Sequence, residues 1–147
     1  MNDALIRTVR RGIYAHLAAT GAAPAVADVA RSCGLDVPTV GAAFRELAAA
    51  HIVVLQPGTL DLWSAPPFSA VSTAFRVHAG STAWYAPCAW DAFGIPAALG
   101  CDAQIQARSA WSGEPIPCGV AAARAHGDGV VHLLVPAARF WDDIVFT

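Results

Sequence analysis

The spacing of apolar residues changes once along this chain, and that change constrains the fold more than any other feature. Up to about Ala50 the period is helical. Leu5, Val9, Ile13 and Leu17 recur at every fourth position, with Arg7, Arg10 and Arg11 mostly elsewhere, which predicts an amphipathic helix over residues 2–20 closed by Gly21. Pro24 is placed to start a second helix, with Val26, Val29, Ala30 and Cys33 on its apolar face and Gly34 at its end. Cys33 there reads as core. Asp36 suits the N-cap of a third helix, Val37 to about Ala50, which turns Val40, Phe44, Leu47 and Ala48 inward.

Beyond that point the apolar runs are short and bounded by turn residues. Ile52-Val53-Val54-Leu55, the turn Gln56-Pro57-Gly58-Thr59 and Leu60-Asp61-Leu62-Trp63 predict a hairpin, so residues 1–64 read as a winged-helix module. Ser64-Ala65-Pro66-Pro67 reads as a linker. Thr73 to His78, the turn Ala79-Gly80-Ser81 and Thr82 to Tyr85 predict a second hairpin, followed by a helix from Ala89 to Leu99 that Pro96 should kink or end. Ala103 to Arg108 alternates apolar and polar residues as a half-buried strand does, with Ile116 to Ala121 as its partner across Ser112 to Pro115. Ala125 to Gly129 reads as a turn, Val130 to Val135 as a buried strand and Ile144 to Phe146 as a last strand. The expected class is α+β: the winged-helix module at 1–64, then a small mixed β-sheet domain with a central helix at 65–147.

Bulk chemistry removes several functions. The 147 residues are 56% hydrophobic and 14% charged, with a net charge of −2, too apolar for disorder and without the basic excess that draws a protein to nucleic acid. The third predicted helix shows Thr39, Arg45 and Glu46 on its polar side and the wing tip carries no Lys or Arg, so phosphate contacts are scarce and nucleic acid is not the expected partner. Pro, Gly, Asp or Arg interrupts every apolar run before it reaches membrane-spanning length, and Met1-Asn2-Asp3 opens without a secretory pattern. The expectation is a cytoplasmic protein with no membrane partner. Cys33, Cys88, Cys101 and Cys118 lack zinc-site spacing and form no dense disulfide framework, so free thiols are expected, with no resident cofactor.

The stretch with most chemistry runs from Trp84 to Gly100. Cys88 and Asp91 lie three apart on the first turn of the predicted helix, so both can face one pocket. The positive end of the helix macrodipole favours the thiolate that a nucleophile or soft-metal ligand must be. The plain alternative is a packed thiol beside an Asp that satisfies first-turn amides.

The residues Tyr85-Ala86-Pro87-Cys88-Ala89-Trp90-Asp91, with Phe93 and Ile95-Pro96-Ala97-Ala98-Leu99-Gly100 behind them, resemble the catalytic segment of the organomercurial (alkylmercury) lyases, close to Tyr-Ala-x-Cys-Ala-x-Asp followed by an apolar helix. Ser112-Gly113-Glu114-Pro115 stands where that family has a Thr-Gly-x-Pro turn, and the resemblance covers roughly residues 70–147. It implies that Cys88 binds the mercury of an organomercurial substrate and that Asp91 delivers the proton releasing the hydrocarbon. It also implies a winged-helix-like N-terminal domain with a packing role. The family's second thiol follows a Phe in a Phe-Cys-x-x-Val-x-Phe pattern; here the matching run is Phe140-Trp141-Asp142-Asp143-Ile144-Val145-Phe146, which puts Trp141 in the thiol's place. The family continues past this point, so the chain reads as a short member or a shortened piece.

Without that thiol, mercury (a soft ion) would need Cys118, Cys101, the harder Asp142 or Asp143, or a small-molecule thiol beside Cys88. Tyr85, Trp90, Trp141 and Cys118 are the substrate-pocket candidates; Trp84, Trp90, Trp111 and Trp141 could each line an apolar pocket or equally be core. His126 and His132 have no ligand spacing relative to Cys88. The expected function is organomercurial-lyase-like: protonolytic cleavage of a carbon–metal bond in a small-molecule substrate, or related chemistry of the Cys88/Asp91 pair on another substrate. The rivals are a non-catalytic protein that binds a soft metal or an apolar ligand, and a winged-helix regulator that senses a ligand.

Overall fold

A computed structural model of the chain describes residues 2–145. Helix α1 (Asp3–Thr20) starts where the Asn2 side chain accepts a hydrogen bond from the Ala4 amide, and buries Val9, Ile13 and Leu17. Helix α2 (Val26–Cys33) begins later than predicted: Ala25 is its N-cap, with Asp28 reaching back to the Ala25 amide, so Pro24 lies ahead of the helix. Helix α3 (Val37–Ala49) is capped by Asp36, whose carboxylate accepts from the Thr39 amide at 2.8 Å. The three helices pack on one another around Ile13, Leu17, Phe44 and Leu47. These side chains are fully buried, each worth about 1.5–3 kcal/mol relative to exposure.

The strands are β1 (Val54–Leu55), β2 (Leu62–Ala65), β3 (Phe68–Ser69), β4 (Phe75–Ala79), β5 (Thr82–Ala86), β6 (Ala103–Arg108), β7 (Pro115–Ala121) and β8 (Arg124–Gly127). They form one antiparallel sheet ordered β1-β2-β3-β5-β4-β6-β7-β8. The predicted linker is part of it. Ser64 and Ala65 are buried in β2, where Ser64 pairs with Val54 on one side and Ser69 on the other; Pro66 and Pro67 only turn the chain into β3.

Register decides which side chains meet. Trp84, Val77, Ile105 and Cys118 are successive cross-strand partners on β5, β4, β6 and β7, so all four lie on one face, and all are buried. Helix α4 (Ala89–Leu99) packs on these same four strands with Ala92, Ile95 and Pro96 buried. Pro96 does not end this helix, which runs on to Leu99 before Gly100 caps it, although proline has no amide to donate to the Ala92 carbonyl one turn back. The Trp84 indole N–H donates to the Leu17 carbonyl at 2.8 Å, which docks α1 onto the sheet.

The last quarter departs from expectation. The predicted turn at Ala125 to Gly129 is mostly strand β8, and the true turn is Ala122-Ala123, with left-handed φ values of 50° and 60°. Alanine carries no turn signature, so the sequence hid it. Residues 130–135 form no strand: β8 already occupies the edge beside β7, and Val130 and Leu134 are 91% and 70% exposed. A 3-10 helix, Ala137–Asp142, follows. Ile144 and Val145 lie in a turn rather than the predicted last strand, and Phe146 is outside the described residues.

Candidate functional site

Cys88 is the N-cap of α4, with extended backbone at φ −145° and ψ 177°, so its side chain stands at the open end of the helix. Asp91 belongs to the first turn. The Cys88 Sγ donates to Asp91 Oδ2 at 3.3 Å, and both residues are half-buried. The two groups singled out by spacing therefore touch.

Their electrostatics differ from the dipole argument. Burial pushes the Cys88 thiol upward; the amides of Asp91 and Trp90 pull it down, and the negative carboxylate of Asp91 adds to the rise. Desolvation outweighs the helix end, so the resting group is the thiol. Burial also raises Asp91 above the usual carboxylate range, against the lowering effect of the Cys88 hydrogen bond. A carboxylate held this way is a better proton acceptor than one in water.

Cys88 opens into a cavity of about 200 Å³ shared with Phe75, Pro87, Ala89, His132, Leu133, Leu134, Val135 and Phe140. Its floor comes from β4, the short connection after β5 and the first residue of α4, and its roof from the segment after β8 with Phe140 of the 3-10 helix. That roof is what the sequence reading missed, because residues more than forty positions from Cys88 share no periodicity with it. Of the two histidines considered, His132 reaches this cavity, while His126 is on β8.

The other pocket candidates lie elsewhere. Trp141 does not line the cavity: its ring stacks on His51, centroids 4.2 Å apart and planes 6° from parallel. Trp90 is 68% exposed. Tyr85 is on the opposite face of the sheet under the Arg76 guanidinium, in a larger open groove with Gln106 and Arg108 that contains neither Cys88 nor Asp91. Cys118 is buried beneath α4 with its Sγ 3.8 Å from the Ile105 carbonyl, and Asp142 pairs with Arg139. Among the described residues no group of three or more His, Cys, Asp and Glu could hold a metal ion. No helix among them is long and apolar enough to cross a membrane.

The wall beside Asp91 comes from the other end of the chain. A Cβ at Gly94, one turn beyond Asp91, would stand 3.3 Å from Pro67 Cβ, so α4 lies close against the β2–β3 turn. The Pro66 carbonyl accepts from the Tyr14 hydroxyl of α1 at 3.1 Å.

Comparison with known proteins identifies the family and the fold. The family profile described as alkylmercury lyase matches residues 68–147. The crystal structure of the mercury-bound form of MerB2 superposes with a TM-score of 0.66 at 22% identity, over 86% of this chain and 60% of that one. The likeness is one of fold, and this chain spans about 60% of that protein's length. No curated protein matches.

Proposed function

This chain belongs to the alkylmercury lyase family, and on that premise we propose that it cleaves carbon–mercury bonds, with Cys88 as the metal-binding thiolate and Asp91 as the proton carrier. The observation that carries the reading is the 3.3 Å contact between Cys88 Sγ and Asp91 Oδ2, in which Cys88 lines a largely apolar cavity and Asp91 stands behind it, outside the lining.

The chemistry balances in two steps. As the Cys88 sulfur bonds the mercury of R–Hg–X, the thiol proton passes to Asp91 and X leaves as an anion. Asp91 then returns that proton to the carbon; the electron pair of the C–Hg bond becomes the C–H bond of R–H, and mercury remains on Cys88. Burial supports both transfers, since it raises Asp91 towards the range where it accepts and returns a proton readily.

Mercury left on one thiolate needs a second soft ligand. Among the described residues Cys88 is the only cysteine lining the cavity, so the second thiol comes from a small molecule. A reducing compartment such as the cytoplasm supplies it and keeps Cys88 free. Residues 1–64 serve as a winged-helix-like packing module against the catalytic part rather than as a DNA reader.

The test is benzene release from phenylmercury with excess small thiol, comparing the unaltered chain with Cys88→Ala and Asp91→Ala. Release that vanishes in Cys88→Ala and falls by about 10²–10⁴-fold in Asp91→Ala supports the lyase. Mercury retained through Cys88 with no benzene from any form overturns it and leaves a binding protein.

A further inference from the structure

Tyr14 is half-buried on α1, and its hydroxyl lies between the carbonyls of Ile52 and Pro66, at 3.3 and 3.1 Å. Its ring meets Phe68 edge-on, with centroids 6.4 Å apart, and carries the Arg10 guanidinium 5.7 Å from its centroid. One side chain thus ties α1 to the segment after α3 and to both sides of the Pro66–Pro67 turn. That turn is the one against which α4 lies at Gly94. Asp91 sits one helical turn before Gly94 on the same face, so it looks towards the same wall.

The phenol and the carboxylate are also close enough to sense each other. Burial is the largest influence on Tyr14 and raises it; Arg10 lowers it, and the charge of Asp91 raises it further. No hydrogen bond joins Tyr14 to Asp91, because the hydroxyl is engaged with the two carbonyls.

We infer that Tyr14 is a positioning residue for Asp91: by holding the Pro66–Pro67 turn against α4, the N-terminal helix fixes the wall that keeps the carboxylate on the Cys88 sulfur. The inference rests on the reading of Cys88 and Asp91 as the reacting pair. It gives the N-terminal helices a part in the site beyond packing. A tyrosine serves where phenylalanine would not, since only the hydroxyl reaches the turn.

The experiment is a double-mutant cycle on the full chain. The rate of Cys88 alkylation by iodoacetamide is followed at one neutral pH by mass spectrometry of the Cys88 peptide, in the unaltered chain, Tyr14→Phe, Asp91→Asn and the double variant. Tyr14→Phe is expected to change the rate at least about 2-fold when Asp91 is present and to have no effect in the Asp91→Asn background, the non-additivity of residues acting through one another. Gly94→Ala, which presses on Pro67 from the helix side, is expected to behave the same way and serves as the readout if Tyr14→Phe does not fold. An effect of equal size in both backgrounds, or none in either, overturns the inference. In the lyase assay Tyr14→Phe lowers kcat and leaves KM unchanged; absence of benzene release from the unaltered chain defeats the lyase reading, while the alkylation cycle still decides the role of Tyr14.

Discussion

The floor and the roof of the Cys88 cavity are built in opposite ways. The floor, Phe75 of β4 with Pro87, Cys88 and Ala89 at the junction of β5 and α4, is anchored in the packed layer where Val77 and Ile95 are fully buried and β4 and β5 each have a ladder partner on both sides. The roof, residues 132–140, has no ladder at all, and most of its side chains are exposed; beyond it, Trp141 stacks on His51. The contrast teaches where rigidity is spent. A proton transfer needs atoms fixed to within tenths of an ångström, which interdigitated strands and a helix provide. In the proposed reaction, entry of a substrate and departure of mercury need a surface that can yield, and loosely packed segments open at low free-energy cost.

The contrast breaks first at Trp84. Its indole fills the sheet face and donates to the Leu17 carbonyl, so Trp84→Ala removes buried aromatic area and the hydrogen bond that joins α1 to the sheet, leaving that carbonyl only the Gly21 amide of its own helix cap. The expected cost is about 3–5 kcal/mol in urea unfolding, with the helical part and the sheet losing their docking together. Leu134→Ala in the roof, at a residue 70% exposed, is expected to stay within about 0.5 kcal/mol in the same measurement. If the two variants cost the same, floor and roof are not distinct in stability.

A smaller effect belongs to Asp91. Its folded-state acidity is weakened chiefly by burial, so the folded protein holds that proton more tightly than the unfolded chain does. The sign follows from linkage: the contribution is fully present below the ordinary carboxylate value and is lost as pH rises through the raised folded value. Asp91→Asn removes the group that must ionise. Its thermal midpoint relative to the unaltered protein is expected to climb across that window and level off above it, in melts run from acid to neutral pH. A constant difference across the window would show that Asp91 ionises as freely when folded as when unfolded.

What the sequence made legible follows the same division. Val9, Ile13 and Leu17, the Asp36 cap, the alternation of Ala103 to Arg108 and the three-residue step from Cys88 to Asp91 are local patterns, and each lies where its pattern placed it. Val130 to Val135 failed because an apolar run states only that burial would be favourable, not that a neighbouring strand is available to pair with it. The turn at Ala122-Ala123 failed for want of Gly or Asn. Tyr14 carried no mark as part of the site, since its partners Ile52 and Pro66 lie 38 and 52 residues away. Long-range convergence is the part of a site that spacing cannot express.

The smallest expected effect tests the tether of the roof. The resemblance of residues 140–146 to the lyase pattern puts Trp141 in the place of a second thiol, yet its ring lies on His51 and not in the cavity. A stacked aromatic pair contributes about 0.5–1.5 kcal/mol beyond its buried area, so Trp141→Ala should cost global unfolding well under what Trp84→Ala does. It should instead loosen the segment that carries Phe140 and Leu134 over Cys88, raising KM for phenylmercury several-fold while kcat holds. Trp141→Cys separates tether from ligand. A thiol at a position facing His51 cannot share mercury with Cys88, so this variant should match Trp141→Ala and still require added thiol for turnover. Benzene release and mercury transfer by Trp141→Cys without added thiol would mean that the roof swings far enough to bring residue 141 into the cavity, and the separation of floor from roof would then be one of motion rather than of place.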